Sequence, residues 1–421
     1  MALWSGWFSR QPAQPRTAVQ DGGGGVIIQT PDQLADYLRA GDTTKSGVQV
    51  TPNKAMQVAA VYACVRIISS SVATLPLDIK RRVDAKNRED ASDTVLWSVI
   101  RRKPNRWQKP AQFRRMLQAH VLLRGNAYCL IVRSRGEVRE LIPLHPGRME
   151  VKQQDDLTLV YEYQRKNGSK ETFKQSEIFH LFGLTLDGIK GVTPITYARE
   201  TIGLSLAMED HGASTFKNGL RVGGVLEHPQ KLGQESRNNL KASLDEYRAG
   251  GESEGRFLIL EEGMKPSELA MTAQDAQWLE ARKFSRTDIC MFFGVPPFMV
   301  GDTEKSTSWG SGIEQQKDGY VTFTLDDHLV MWEEAITSDL TTDEKIYARF
   351  NRNALVKGNI NDRWNSYVKA LQWGVRSPNE IRALEDDNPR DGGDIYYPPP
   401  NTAGGDQEAE DSSKPKKETD E

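Results

Sequence analysis

Five carboxylates crowd one stretch near the end of the chain: Glu385, Asp386, Asp387, Asp391 and Asp394. Acids so grouped can hold magnesium and activate water for phosphodiester cleavage, the chemistry of a metal-dependent nuclease. Pro389, Arg390, Gly392 and Gly393 interleave them and no further ligand motif stands nearby, so a solvated capping loop explains them better. Ser366 and Lys369 fit S-x-x-K, but the S-D-N and K-T-G companions of that enzyme class are missing, which leaves an exposed helix turn. There is no G-x-x-x-x-G-K-[ST] to aim backbone donors and a lysine at phosphates, and no G-x-G-x-x-G after a strand. Histidines 120, 145, 180, 211, 228 and 328 are scattered and read as core or surface residues. Cys64, Cys129 and Cys290 lie far apart in apolar surroundings, without a C-x-x-C partner, which fits buried thiols in a reducing cytosol. Hence no catalytic residue, metal or cofactor is expected, and the chain reads as something other than an enzyme.

The stretch that stands out is FFGVPPFMVGDTEKSTSWGSGIEQQ, Phe292 to Gln316. A helix ends there at Pro296 and Pro297, which lack the donor that a helix needs. Ser311 and Glu314 form an S-x-x-E box that starts the next helix. Loops beyond roughly 12–15 residues are either functional or disordered. A disordered insertion is the plain alternative; the sharper reading is a mobile polar loop held between two rigid helices.

Around this loop the pattern is α+β. Residues 1 to 50 read as a loose arm: Trp4, Trp7 and Phe8 could dock on a partner or a membrane surface, but Pro, Gln and Gly22 to Gly25 follow. The start lacks the apolar core and cleavage site of a secretory signal. Thr51-Pro52 opens a helix with Val61, Val65, Ile68, Val72 and Leu75 on one face, ended by Pro76. A second helix runs from Pro110 to Gly125 and buries Phe113, Leu117 and Val121. AYCLIVR and EVRELI flank a Ser-Arg-Gly turn, and LTLVYEYQ puts Leu157, Leu159, Tyr161 and Tyr163 on one face before an Asn167-Gly168 turn. With EIFHLFG these strands make an antiparallel sheet under helices, from Val50 to Gly183.

Thr193-Pro194 then caps a long helix to about Lys217, stopped by Asn218-Gly219. A small α/β insertion follows: a strand at Gly224 to Glu227, a helix with Leu240, Leu244 and Tyr247, and a strand at Phe257 to Gly263. The next helix spans about Ala273 to Phe293; its charges surround it, as suits a helix packed between copies. After the loop, Leu325, Leu329, Trp332, Ile336 and Leu340 share a face of a helix with a break near Gly319. Trp364, Val368 and Leu371 lie on a further helix, and Ser377-Pro-Asn-Glu380 caps another. The Pro-rich and acidic end beyond Tyr397 reads as disordered.

Composition bounds the partners. With 38% hydrophobic and 27% charged residues the balance is that of an ordinary soluble protein. No apolar run approaches the roughly 18–20 residues of a membrane span, so no membrane partner is expected. The chain carries −3, and Asn401 to Glu421 holds seven acids and three lysines, which leaves residues 1 to 400 at +1. A sequence-specific DNA binder relies on phosphate neutralisation and is usually basic. Near-neutrality argues against one.

Six segments, in order, resemble the portal proteins of long-tailed, siphovirus-type double-stranded DNA bacteriophages. They are VAAVYACVRIISSSVATLPLDI, LLRGNAYCLIVRSRGEVRELIPLHP, GVTPITYARETIGLSLAMEDHGASTFKNG, DAQWLEARKF, GVPPFMVGDTEKSTSWGSGIEQQ and SPNEIRALEDDNPRDGGD, spanning most of Val58 to Asp394. The resemblance implies a ring, usually of twelve copies, at one capsid vertex. DNA would be packaged and ejected through its channel, and near-neutrality suits DNA that must slide. The implied parts are an arm at 1–50, a wing at 51–194, stem helices at 195–217 and 273–293, and a clip at 218–272. A tunnel loop at 294–312, a long helix returning to the wing at 313–349, a crown at 350–400 and an acidic tail at 401–421 complete it. The implied partners are the terminase large subunit, the major capsid protein with its scaffold, head-completion proteins, and double-stranded DNA read without sequence preference. In the loop, Lys305 and the hydroxyls of Ser306, Thr307 and Ser308 would touch phosphates weakly, and Trp309 would face the lumen or anchor on the helix below. A nuclease built on the C-terminal acids and a monomeric cytosolic adaptor remain the alternatives.

Overall fold

The computed structural model describes residues 17–19, 26–28, 44–85, 87–217, 225–227, 265–267, 273–302, 310–352, 354, 360–385 and 387–399. It divides into two compact units, Met1–Arg349 and Phe350–Glu421.

In the first unit β1 (Thr17–Val19) pairs antiparallel with β2 (Val26–Ile28), so part of the expected loose arm is a strand pair. Thr44 and Val50 are buried, which moves the ordered boundary ahead of residue 50. The expected single helix after Thr51 is two: α1 (Pro52–Ala55), capped by the Thr51 hydroxyl, and α2 (Ala59–Thr74). All five residues predicted to share its inner face are at most 4% exposed. β3 (Leu77–Arg82) and β4 (Arg88–Asp90) form a hairpin, and α3 (Val95–Arg101), unforeseen, is capped by Thr94. α4 (Pro110–Arg124) packs on α2 and ends at Gly125, whose φ of +77° closes it.

The strands that follow make separate sheets instead of one. β5 (Asn126–Ser134), β6 (Glu137–Leu144) and β10 (Ile178–Phe182) form an antiparallel sheet in the order β10-β5-β6. β7 (Met149–Gln153), β8 (Leu159–Gln164) and β9 (Lys170–Lys174) form another. Tyr128, Leu144, Met149, Val151, Tyr161, Phe173 and Ile178 fill the space between the two sheets. Leu157, expected on the inner face of β8, instead takes φ +67° in the preceding turn and is 73% exposed. The Asp156 carboxylate accepts from the Thr158 backbone there, so a local polar turn overrides the alternation.

A latch joins this layer to the helices beyond. Asn126 Nδ2 donates to the Gly191 carbonyl at 2.9 Å, and its Oδ1 accepts from Gly191 N at 2.9 Å and His180 Nε2 at 3.0 Å. His180 Nδ1 in turn accepts from the Tyr161 hydroxyl at 3.3 Å. A Cβ on Gly125 would lie 2.2 Å from the Gly191 carbonyl oxygen, so the close approach requires glycine. Thr193 caps α5 (Pro194–Tyr197) and also donates to the Leu122 carbonyl at 2.8 Å. The predicted long helix kinks at Ala198 (ψ 3°) and continues as α6 (Arg199–Lys217).

From the predicted insertion, β11 (Val225–Glu227) pairs with β12 (Lys265–Ser267); the helix around Leu240 and the strand from Phe257 lie outside the described residues. α7 (Ala273–Phe293) returns along α6, with Ser205 and Ser285 hydroxyls 2.6 Å apart. Over its described side chains α7 is one-sided: Ser285, Ile289, Cys290 and Phe293 are buried, while Phe284, Met291 and Phe292 are exposed. After the loop come α8 (Gly310–Tyr320), a π-helical turn at Val321–Leu325 and α9 (Asp326–Leu340). Leu325, Leu329, Trp332, Ile336 and Leu340 are all buried, as their spacing predicts. β13 (Ile346–Phe350), also unforeseen, adds to the free side of β3.

In the second unit, α10 (Ile360–Gln372) precedes α11 (Pro378–Leu384). Ser377 and Glu380 make the predicted capping box, with bonds of 3.3 and 2.9 Å. Among the described residues no helix is long and apolar enough to cross a membrane.

Gly125→Ala should cost roughly 2–4 kcal/mol, because left-handed strain and collision with Gly191 add. Gly136→Ala, at φ +82° with nothing within 4 Å, should cost only the strain, about 1–2 kcal/mol. Urea unfolding of both variants measures the difference.

Burial holds His120 and His180 down at about 3. Below about pH 6.5 the unfolded chain therefore binds protons that the folded one refuses. Stability should fall as pH drops from about 6.5 towards 3, and His180→Gln should flatten that slope in urea titrations at pH 7, 6, 5 and 4.

Candidate functional site

The loop leaves α7 through a Schellman closure. Gly294 N donates to the Met291 carbonyl at 3.1 Å and Val295 N to the Cys290 carbonyl at 3.0 Å, with Gly294 at φ +66°. Val295 and Cys290 are both buried, the apolar contact that accompanies such an ending. Pro296 then directs the chain into a tight turn at Pro297–Val300. Gly301, at φ +88°, ends that turn the same way, with Asp302 N donating to the Pro297 carbonyl at 3.1 Å.

The far end is held by the π turn. Thr324 Oγ1 donates to the Gly294 carbonyl at 2.6 Å, closing two positions 30 residues apart in sequence. A Cβ on Gly294 would stand 2.7 Å from that hydroxyl oxygen, so glycine serves both the left-handed φ and the contact. Tyr320 is buried, and its hydroxyl reaches Ser71 Oγ on α2 at 3.4 Å. Below the turn, Trp332 Nε1 donates to Gln118 Oε1 at 2.9 Å, and Gln118 Nε2 to His328 Nδ1 at 3.2 Å. Burial lowers the His328 pKa, in keeping with the neutral ring that must accept this bond. Both loop ends thus close on one rigid base made by α2, α4 and α9.

The loop residues that the sequence singled out, Lys305, Ser306, Thr307, Ser308 and Trp309, lie outside the described residues. α8 begins at Gly310, so Ser311 falls inside its first turn instead of preceding it. The expected break near Gly319 is the π turn just after it. π turns insert one residue into a helix and recur at functional sites. Here the insertion leaves Phe323 83% exposed between buried Tyr320 and Leu325. Sequence reading missed Thr324 and Asn126, for neither hydrogen bond has a local motif. The one available signal was a polar asparagine opening an apolar strand directly after a helix-ending glycine.

The other candidates are structural. Glu385 pairs with Arg363 at 3.2 Å and accepts from the Tyr367 hydroxyl at 2.7 Å. Asp394 accepts from Asn379 Nδ2 at 3.0 Å, and the Asn379 side chain also binds Arg390 through backbone N and O. Asp387 N donates to the Arg382 carbonyl, Asp391 is exposed, and Asp386 lies outside the described residues. Among the described residues no three His, Cys, Asp or Glu side chains are grouped to hold a metal. Ser366 and Lys369 both face solvent on α10. The three cysteines are buried and free.

An antiparallel layer, a helix pair bracketing an inserted strand pair, a clamped loop and a long buried helix define a portal-type fold. Solved structures agree: chains from the native gene transfer agent virion and from its neck computed with C12 symmetry each give a TM-score of 0.59 at 20% identity. They cover 85% and 84% of this chain and 99% and 98% of their own. The chain belongs to the phage portal protein family, whose profile matches residues 59–386. It is 36% identical to the portal protein of Enterobacteria phage HK97, over 82% of both chains. It is 32% identical to the probable portal protein of Streptomyces phage phiC31, over 92% of this chain and 86% of that one. These relatives are portal proteins, which leaves the nuclease and adaptor readings without support.

Thr324→Val keeps the shape and deletes the bond to Gly294. Stability should fall by about 0.5–1.5 kcal/mol, and hydrogen exchange should quicken at 294–302 and 310–323 but not in β5 or β10.

Proposed function

We propose that about twelve copies form a ring at one capsid vertex, through whose channel double-stranded DNA enters during packaging and leaves at ejection. The observation that carries this reading is the closure of both ends of a polar loop on a rigid base. A segment that must follow moving DNA needs fixed roots and free length. Chains of similar fold come from gene transfer agent necks computed with C12 and with C6 symmetry, which supports a ring and is compatible with twelve copies.

In this assignment residues 51–194 and 313–349 are the wing, 195–217 and 273–293 the stem, 218–272 the clip, 294–312 the tunnel loop and 350–400 the crown. The arm at 1–50 and the acidic tail at 401–421 flank them. The clip meets the terminase large subunit during packaging and head-completion proteins afterwards. The wing meets the major capsid protein and scaffold, in the host cytoplasm during assembly and then in the virion. Residues 303 to 309 hold one acid, Glu304, and one base, Lys305. So little charge holds phosphates weakly, and Lys305, Ser306, Thr307 and Ser308 can exchange contacts as DNA slides.

Native mass spectrometry with negative-stain imaging tests the ring: a particle with a central hole near twelve times the 47.3 kDa subunit is expected. A persistent monomer in the presence of scaffold and capsid protein overturns it. Lys305→Ala should leave ring mass unchanged and reduce DNA packaged per head; loss of rings would make Lys305 an assembly residue.

A further inference from the structure

A groove of about 750 Å³ opens between β10, the turn that follows it and α9. Part of its wall is apolar, with Phe182, Leu184, Val330 and Met331, and Leu184 is 71% exposed at the rim. Asp327, Glu334 and Asp339 supply the charge, and no lysine or arginine lines it among the described residues. Asp339 is the least exposed of the three, and burial raises its pKa. The nearby Arg133 donates to the Asp339 backbone carbonyl at 2.7 Å, and Ser338 Oγ to its carboxylate at 2.8 Å. An acidic, partly apolar groove repels phosphate and fits a peptide that carries both aromatic rings and positive charge.

The chain contains such a peptide. MALWSGWFSRQPAQPR holds Trp4, Trp7 and Phe8, then Arg10 and Arg16, with no acid before Asp21. Pro12 and Pro15 bias it towards extended backbone, which lies along a groove without first unfolding a helix. Thr44 is wedged against Gly203 of α6, where a Cβ would stand 2.7 Å from the threonine side chain, and Lys45 N donates to Glu200 at 3.0 Å. The residues between Ile28 and Thr44 can span about 50 Å when extended.

We propose that residues 1–16 dock in this groove, aromatic rings on the apolar wall and arginines against the three acids. The occupant is a segment of this chain, seated in its own groove or in that of an adjoining copy. The proposal goes beyond the channel reading and does not depend on it.

The test uses the full-length protein with photoreactive p-benzoylphenylalanine in place of Trp7. Irradiation followed by peptide mass spectrometry should find cross-links to segments bearing Leu184, Met331 or Glu334, within a chain or between copies. Free peptide of residues 1–16 should compete them away. Cross-links confined to other surfaces, or to added lipid vesicles or capsid protein, overturn the proposal. Arg10→Glu with Arg16→Glu, outside the folded core, should lower groove cross-linking several-fold. Adding Asp327→Lys and Glu334→Lys, both at exposed positions, should restore it; a swap that folds but restores nothing also overturns the proposal.

Discussion

The burial of α9 is the constraint on which the rest of the first unit hangs. Trp332 is 1% exposed, packs near Phe179 of β10 with ring centroids 6.2 Å apart, and spends its indole N–H on Gln118 of α4. A buried indole nitrogen must find an acceptor, and the glutamine that supplies it is itself fully buried and bonded to His328. One helix is thereby fixed in rotation as well as position. Because α9 cannot turn, the π turn above it presents Thr324 to Gly294, and the end of α7 is fixed in its turn. Apolar burial supplies most of the stability here, and the Gln118 contacts select a single orientation.

A second fixed point lies at the start of the helix pair. Asn126 binds both backbone groups of Gly191, so the strand layer grips the chain just before α5 through a side chain and not a ladder. Two glycines make that approach possible. The loop and the helix pair are therefore referred to the same layer from two directions, through β10 and through β5.

Much of this was legible in residue pattern. Val61, Val65, Ile68, Val72 and Leu75, and likewise Leu325 to Leu340, recur at helical spacing and are buried as the spacing demands. Thr51, Thr193 and Ser377 cap where their short polar side chains predict. What failed was whatever depended on distant partners or on competing local geometry. Leu157 fits the β8 alternation, yet the Asp156 turn takes it away. β13 is found only because β3, far earlier in the chain, offers it a free edge. A one-residue insertion into a helix alters no composition, so the π turn looked like a break at Gly319. Residues 305 to 309 stood out because sequence marks what a loop is made of, whereas Thr324 holds a root of that loop and Asn126 holds the start of the helix pair, both through partners distant in sequence.

The π turn has a mechanical meaning of its own. Five residues there hold what a regular helix would hold with four, so α8 is out of phase with α9 by one position. Returning that residue to regular winding would crank α8 about its axis by about 100° and slide it by about 1.5 Å. The same step would break or remake the Thr324 grip on Gly294. Any such movement of α8 would therefore come in steps of one residue instead of a continuous swing.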